Sequence, residues 1–191
     1  MNFLEAKICS ESTVLPGNIL LVDTFLNQGL DIETLSWLGA DFARHFKDRK
    51  IDLVLTIEAS GIAIAVLTAA AIGVNAAFAK KHESLNLSGE LLCSKVCSYT
   101  KQKTYTAAIA KHLIKAGMKV LIVDDFLANG CAMQGLISLV EMAGAEVAGV
   151  AVAIEKAFQG GGDMLRKNGY DVYAAARIKE ISESGFSLLQ D

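Results

Sequence analysis

Two adjacent carboxylates, Asp124 and Asp125, follow the aliphatic run Val120-Leu121-Ile122-Val123 and lead into the small residues Ala128-Asn129-Gly130-Cys131-Ala132. An aliphatic run of this kind reads as a buried strand, which puts the two acids at its end. A run of small residues lets several main-chain N–H groups converge on one phosphate. The helix predicted from Met133 to Ala143 adds the positive partial charge of its N-terminus. Gly130 allows close approach of the backbone and dihedrals closed to other residues. Ionised carboxylates accept strong hydrogen bonds from vicinal hydroxyls. The spacing therefore suits a sugar phosphate, with its phosphate in the turn and its ribose across Asp124 and Asp125. The competing reading is a plain strand-to-helix turn with two exposed acids. Acids alone would favour that reading; aliphatics, acids and small-residue turn together favour the ligand.

The elements that must position this turn are legible from residue 30 onward. Asp31 is a candidate N-cap for a helix carrying Ile32, Leu35, Gly39, Phe42 and Phe46 on one face. Asp52–Ile57 is a short buried strand, Glu58-Ala59-Ser60-Gly61 a turn, and a helix follows to Ile72, ended by Gly73. Asn75–Ala79 reads as the next strand. Residues 80–105 break the rhythm with Lys80, Lys81, His82, Glu83, Lys95, Lys101 and Lys103, and read as a polar insertion of the kind that forms lids. Residues 106–116 fit either a helix or a strand ending near Ala110. Lys119–Val123 and Glu146–Ile154 read as strands, Gln159–Gly162 as a loop, Met164–Asn168 as a short helix, and Asp171–Ala175 and Phe186–Leu189 as strands. Strands alternating with helices give an α/β fold with a mostly parallel sheet flanked by helices, and ligands in such sheets sit beyond the carboxyl ends of the strands.

Composition bounds the possibilities. The 191 residues are 52% hydrophobic and 20% charged, which excludes wholesale disorder and suits one domain. A net charge of −3 argues against nonspecific binding to nucleic acid or an anionic membrane as the main activity. Cys9, Cys93, Cys97 and Cys131 are too sparse for a disulfide framework and lack the spacing of a zinc site, so four reduced thiols in a cytoplasmic protein are expected. The start of the chain has no basic stretch before an apolar core, and no secretory signal is read there. The apolar stretch Gly61–Ala79 is interrupted by Thr68, Gly73 and Asn75 and reads as a buried helix and strand rather than a membrane span. His45, His82 and His112 show no metal spacing.

The stretch from Val120 to Ala132 resembles the signature of the type I phosphoribosyltransferases, which bind phosphoribosyl diphosphate. The resemblance continues, in the family's order, through Val22–Gln28, Thr56–Ala63, Phe78–His82, Ser98–Gln102 and Ile154–Gln159. Two departures stand out: Asn129 replaces the common Thr before the glycine, and Cys131 replaces the usual Gln. A main-chain phosphate contact survives the second change; a side-chain contact does not.

The resemblance implies a single domain over 1–191, with a small hood from about residues 1–30 and a mobile lid over about 81–105. It implies transfer of the phosphoribosyl group to N9 of a purine base, xanthine first, with hypoxanthine and guanine as the runner-up substrates. Ala128, Asn129, Gly130, Cys131 and Ala132 would hold the 5′-phosphate, and Asp124 and Asp125 the ribose hydroxyls and developing positive charge. Glu58, Ala59, Ser60 and Gly61 match the family's diphosphate loop, which carries a cis peptide. Lys80 and Lys81 could also meet diphosphate; a solvated basic edge is the equal alternative. Lys156 matches a lysine that reaches a purine 6-oxo group, Phe158 could stack on the base or serve the core, and Leu20 and Asn27 match base-contacting positions in the hood. Ser98 and Tyr99 match a pair on the lid. The implied cofactor is Mg²⁺, held mainly by substrate with no dedicated protein cage, and the implied assembly is a homodimer. A phosphoribosyl-diphosphate-sensing regulator on the same fold would need a DNA-binding domain or a basic surface. A Rossmann-type protein would need a G-x-G-x-x-G after a strand, which is not present.

Overall fold

The computed structural model describes residues 1–17, 19–82, 90–98, 103–182 and 185–189. The chain begins with α1 (Phe3–Glu11), a hairpin of β1 (Thr13–Leu15) and β2 (Ile19–Leu21), and a π-helical turn over Asp23–Asn27. Then come α2 (Ile32–His45), β3 (Leu53–Ile57), α3 (Gly61–Ile72), β4 (Asn75–His82), β5 (Leu91–Ser98) and β6 (Lys103–Ala110). The remainder is β7 (Lys119–Leu127), α4 (Cys131–Met142), β8 (Glu146–Lys156), α5 (Gly161–Lys167), β9 (Val172–Ser182) and β10 (Gly185–Leu188).

Among the described residues, eight strands form one sheet in the order β10-β9-β8-β7-β3-β4-β6-β5. The run β4-β3-β7-β8-β9 is parallel, with Leu53 opposite both Asn75 and Val120. β10, β6 and β5 join antiparallel. Strand direction of growth reverses between β3 and β7, which makes that boundary the switch point where a doubly wound sheet opens a crevice.

Period-two alternation feeds two cores. Val54, Leu121, Val123, Ala151 and Ala153 face α1, α2 and α3. Leu55, Ile122, Val150 and Val152 face α4 and α5. Because both faces are covered, β3 is buried at all five positions, and the continuous apolar run that marks it is explained. Asp31 caps α2 as expected, accepting from the Thr34 N–H at 2.8 Å and the Thr34 hydroxyl at 2.6 Å. α2 crosses α3 at Gly39, where a Cβ would stand 2.7 Å from the Leu67 carbonyl. Gly73 ends α3 in the left-handed region, at φ +85°.

Several expectations need correction. β7 continues to Leu127, so Asp124 and Asp125 lie within the strand rather than at its end. α4 starts at Cys131, two residues earlier than its apolar periodicity indicates. Gly161 and Gly162 belong to α5 and not to a loop, and β8 and β9 run to Lys156 and Ser182. The ambiguous 106–116 segment contains the end of β6, and much of the polar insertion is the antiparallel ladder of β5 on β6. α1 was not anticipated. Its signal is a capping box: the Glu5 N–H donates to Asn2 Oδ1 at 2.9 Å and the Asn2 N–H to Glu5 Oε2 at 2.6 Å. The Asn2 side-chain amide also donates to the Ala175 carbonyl on β9, which docks the helix. Among the described residues, Cys9, Cys93 and Cys131 form no disulfide. No helix among the described residues is long and apolar enough to cross a membrane.

Candidate functional site

The crevice at the switch point gathers three segments. From β7 come Asp124 and Asp125, 6% and 9% exposed. The Asp125 N–H donates to Asp124 Oδ1 at 3.0 Å, and the Phe126 N–H to Asp125 Oδ1 at 2.9 Å. Burial, and next the charge of Asp125, push the Asp124 carboxyl well above the usual carboxylate range. The Asp125 amide and the more distant Lys81 ammonium pull the other way and do not prevail. Burial and a neighbouring carboxyl therefore disfavour the ionised form of Asp124 in this setting.

From β3 comes the Glu58–Gly61 turn, whose Glu58–Ala59 peptide is cis. The Glu58 N–H donates to the Ala79 carbonyl at 3.0 Å, and Glu58 Oε1 accepts from the Lys81 N–H at 2.6 Å, tying the turn to β4. Gly61 touches β7: a Cβ there would stand 2.6 Å from Asp124 Oδ1 and would also strike the Thr56 hydroxyl. That hydroxyl is buried and has no hydrogen-bond partner among the described residues.

The third segment is the turn from Ala128 to Ala132. Asn129 Oδ1 accepts from the Cys131 N–H at 3.1 Å, a side-chain turn that caps the start of α4. Gly130 holds φ +86°, and a Cβ on it would lie 2.8 Å from Met164 Cε. The first-turn N–H groups of α4 lack helical acceptors, and with the dipole they favour an anion. Asn129, where Thr is commoner, thus occupies the Cys131 N–H with its own side chain.

Across from the acids, Lys156 ends β8. Its Nζ lies 5.2 Å from the centre of the Phe126 ring. Burial lowers its pKa and the charge of Asp125 opposes that shift, so the two groups sense one another. Phe158, on the 3₁₀ turn Ala157–Gln159, is 46% exposed and free to meet a ligand face.

The sheet separates the two lysines of β4. Lys81 Nζ lies over the Tyr105 ring at 5.6 Å, on the side of Asp124. Lys80 points to the other face, into a cavity shared with Phe78, Leu91 and Leu113. The structure brings Lys81, and not Lys80, to the acid pair. Leu20 is buried in the cluster against which Phe126 packs, while Asn27 is half-buried at the end of the π-helical turn. Ser98 ends β5; Tyr99 lies outside the described residues.

Sequence reasoning missed three features. Tyr105 has its hydroxyl pKa raised by burial first, then by Asp124 and Cys131, so it borders the site. Its only signal was an aromatic in a polar stretch. Thr56 sits between the turn and the acids, as a single polar residue in an apolar strand. Glu155 is wholly buried yet receives Arg166 Nη1 and Nη2 at 2.8 and 2.7 Å and Arg177 Nε at 3.0 Å. Burial would raise its pKa, but the two guanidinium groups lower it overall. An acid closing the aliphatic run of β8 was its only signal, and that signal did not point to the arginine partners. Among the described residues, no three His, Cys, Asp or Glu side chains form a metal cage.

The parallel sheet, its switch point and a small-residue turn below paired acids define an α/β protein built to hold a phosphorylated sugar. The chain belongs to the phosphoribosyl transferase domain family, whose model matches residues 38–173. It is 49% identical to the xanthine phosphoribosyltransferase of Bifidobacterium adolescentis, over 95% of this chain and 94% of that one. It is 45% identical to that of Bacillus cytotoxicus, over 100% and 96%. Among solved structures, the adenine phosphoribosyltransferase of Thermoanaerobacter pseudethanolicus matches with a TM-score of 0.68 and 26% identity, covering 77% of this chain and 82% of that chain. The Leishmania donovani adenine phosphoribosyltransferase shares the fold, with a TM-score of 0.76 at 16% identity over 96% and 83%.

Proposed function

We propose that this chain transfers the 5-phosphoribosyl group from phosphoribosyl diphosphate to N9 of xanthine, giving xanthosine 5′-monophosphate and diphosphate. The observation that carries the reading is the convergence at one switch point of the Asp124–Asp125 pair, the 128–132 turn and the Glu58–Gly61 turn, with Lys156 facing Asp125. Relatives 45–49% identical over nearly the whole chain bear the name of that activity.

In this reading the 5′-phosphate sits on the amides of the 128–132 turn, and Asp124 and Asp125 accept from the ribose hydroxyls. The C1–oxygen bond breaks with its electrons on diphosphate; N9 gains C1, and the N9 proton passes to water. Positive charge that develops on the sugar meets two buried carboxylates whose low-dielectric setting makes them effective. The Glu58–Gly61 turn and Lys81 receive the diphosphate. Lys156 donates to the 6-oxo group, which favours an oxopurine over adenine, and Phe158 stacks on the ring.

Magnesium fits this donor set, because carboxylate, hydroxyl and phosphate oxygens are the hard ligands it takes. Asp124 and Asp125 would hold it through the sugar hydroxyls, and substrate oxygens would complete its shell. When bound, it supplies neutralising charge to the departing diphosphate.

Residues 1–30 would act as a hood over the base; of the lid expected over 81–105, residues 83–89 and 99–102 lie outside the described residues. The protein works in the cytoplasm as a homodimer; the half-exposed Phe78 and Leu113 around Lys80 are apolar surface of the kind an interface covers. Sedimentation of the purified protein tests the dimer.

The activity is tested by incubating the protein with phosphoribosyl diphosphate, magnesium and each purine base. Rapid formation of xanthosine monophosphate is expected. No nucleotide from xanthine would overturn the reading, and much faster use of guanine or hypoxanthine would reassign the base.

A further inference from the structure

α5 touches both ends of the site without belonging to either. The Gly161 N–H donates to the Ala128 carbonyl at 3.1 Å, and a Cβ on Gly161 would stand 2.5 Å from the Gly130 nitrogen and 2.6 Å from the Asn129 carbonyl carbon. The helix therefore lies directly on the main chain of the turn that receives phosphate. Gly162, one residue on, faces the other way: a Cβ there would stand 2.6 Å from the Glu155 carboxyl carbon and 2.7 Å from Arg166 Nη1. Glu155 in turn takes the Arg166 guanidinium by two parallel bonds and that of Arg177 by a third. Its neighbour in the chain is Lys156, on the opposite face of β8.

We propose that α5 is a strut and that Glu155 and Gly161 are positioning residues, which hold the phosphate turn and Lys156 at one fixed separation. The inference rests on the functional reading above. In that reaction the base and the sugar phosphate are anchored by different segments, and N9 must face C1 at near-attack distance. A frame that fixes the two anchors relative to each other converts two separate bindings into one aligned pair. The forked, buried Glu155–Arg166 pair suits this task, since a bidentate contact fixes orientation as well as distance. The adjacent glycines let the helix approach the turn on one side and the carboxylate on the other.

The test compares a linked ligand with its fragments. Binding of xanthosine 5′-monophosphate, of ribose 5-phosphate and of xanthine is measured by calorimetry on the wild-type protein and on Gly161→Ala, Glu155→Gln and Arg166→Lys, with melting curves to establish folding. The linked ligand gains from the correct spacing of its two subsites; the fragments do not. In Glu155→Gln, affinity for the nucleotide is expected to fall about tenfold or more, with each fragment changing less than about threefold; Gly161→Ala, whose methyl group strikes the phosphate turn itself, should lose ribose 5-phosphate as well and leave xanthine within about threefold. Arg166→Lys, which keeps the charge and loses the fork, falls between and remains informative if the other variants do not fold. Lys167→Ala, on the exposed side of α5, is the control and should match the wild type. Parallel losses for nucleotide and both fragments in Glu155→Gln, or unchanged nucleotide affinity in folded variants, would overturn the strut. Wild-type protein that binds none of the three ligands would instead remove the functional reading, and the strut with it.

Discussion

Replacing Asp124 by Asn separates what the acid costs the fold from what it gives the reaction. The side chain is 6% exposed, and burial and Asp125 hold its folded-state pKa well above the usual value. The sign follows by linkage. An acid with a raised folded pKa binds more protons in the native state than in the unfolded one, so stability is greatest below the unfolded value of about 3.9. It declines as pH rises from there through the folded pKa and is level above it. Each unit of elevation is worth about 1.4 kcal/mol. Asn occupies nearly the same volume and does not titrate. The Asn variant should therefore melt increasingly above the wild type as pH climbs from 4 toward 8, and the gap should level off above the raised pKa. Turnover should fall by roughly 100-fold or more, the usual loss when one preorganised electrostatic group is removed. Melting curves at fixed protein concentration and ionic strength give the first result, and steady-state rates with phosphoribosyl diphosphate the second. A melting difference independent of pH, or a wild type that is the more stable at pH 8, would refute the assigned repulsion. A folded Asn variant with full turnover would refute the role in transfer.

Three further outcomes follow from the same geometry. Lys156→Gln removes a charged donor while leaving a polar side chain, and should lower kcat/KM for xanthine by about 10–150-fold, the equivalent of 1.5–3 kcal/mol, with little change in melting temperature. Gly39→Ala sets a methyl group against the Leu67 carbonyl between α2 and α3; it should cost about 1–3 kcal/mol in urea unfolding and leave KM values unchanged. Glu155, whose pKa its two arginines hold down, contributes stability above the usual glutamate value that disappears as pH falls through the lowered pKa. The melting gap between wild type and Glu155→Gln should accordingly be wide at pH 6 and close on acidification toward pH 3.

Much of the architecture could be read before the structure. Runs such as Leu53–Ile57 and Val120–Val123 betray parallel strands because both faces of the sheet are covered, and Asp31 and Gly73 mark helix ends by local chemistry alone. Strand ends were harder. Asp124, Asp125 and Lys156 are polar, yet their backbones stay in the ladder because the neighbouring strands extend equally far; polarity in the sequence registers the crevice and not the end of pairing. The β5–β6 ladder was hidden for a related reason, since its outward positions face solvent and dilute the apolar signal. The acid pair and the phosphate turn were legible as chemistry, because they are contiguous. Thr56, Tyr105 and the Glu155–Arg166–Arg177 group were not, because their partners lie on other strands or a later helix and only the fold makes them neighbours. Alternation along β4 was available to separate Lys80 from Lys81, once that segment is known to remain a strand.

The placement of β3 beside β7 has a consequence for the nascent chain. Sixty-odd residues of sequence intervene between them, including α3 and the whole β4–β6 arm, and the crevice does not exist until Leu53 and Val120 lie side by side. Earlier, partly assembled species offer a sugar phosphate nothing to grip. Substrate therefore captures finished molecules selectively and withholds them from unfolding and proteolysis, by roughly 2.7 kcal/mol at a hundredfold excess over its dissociation constant.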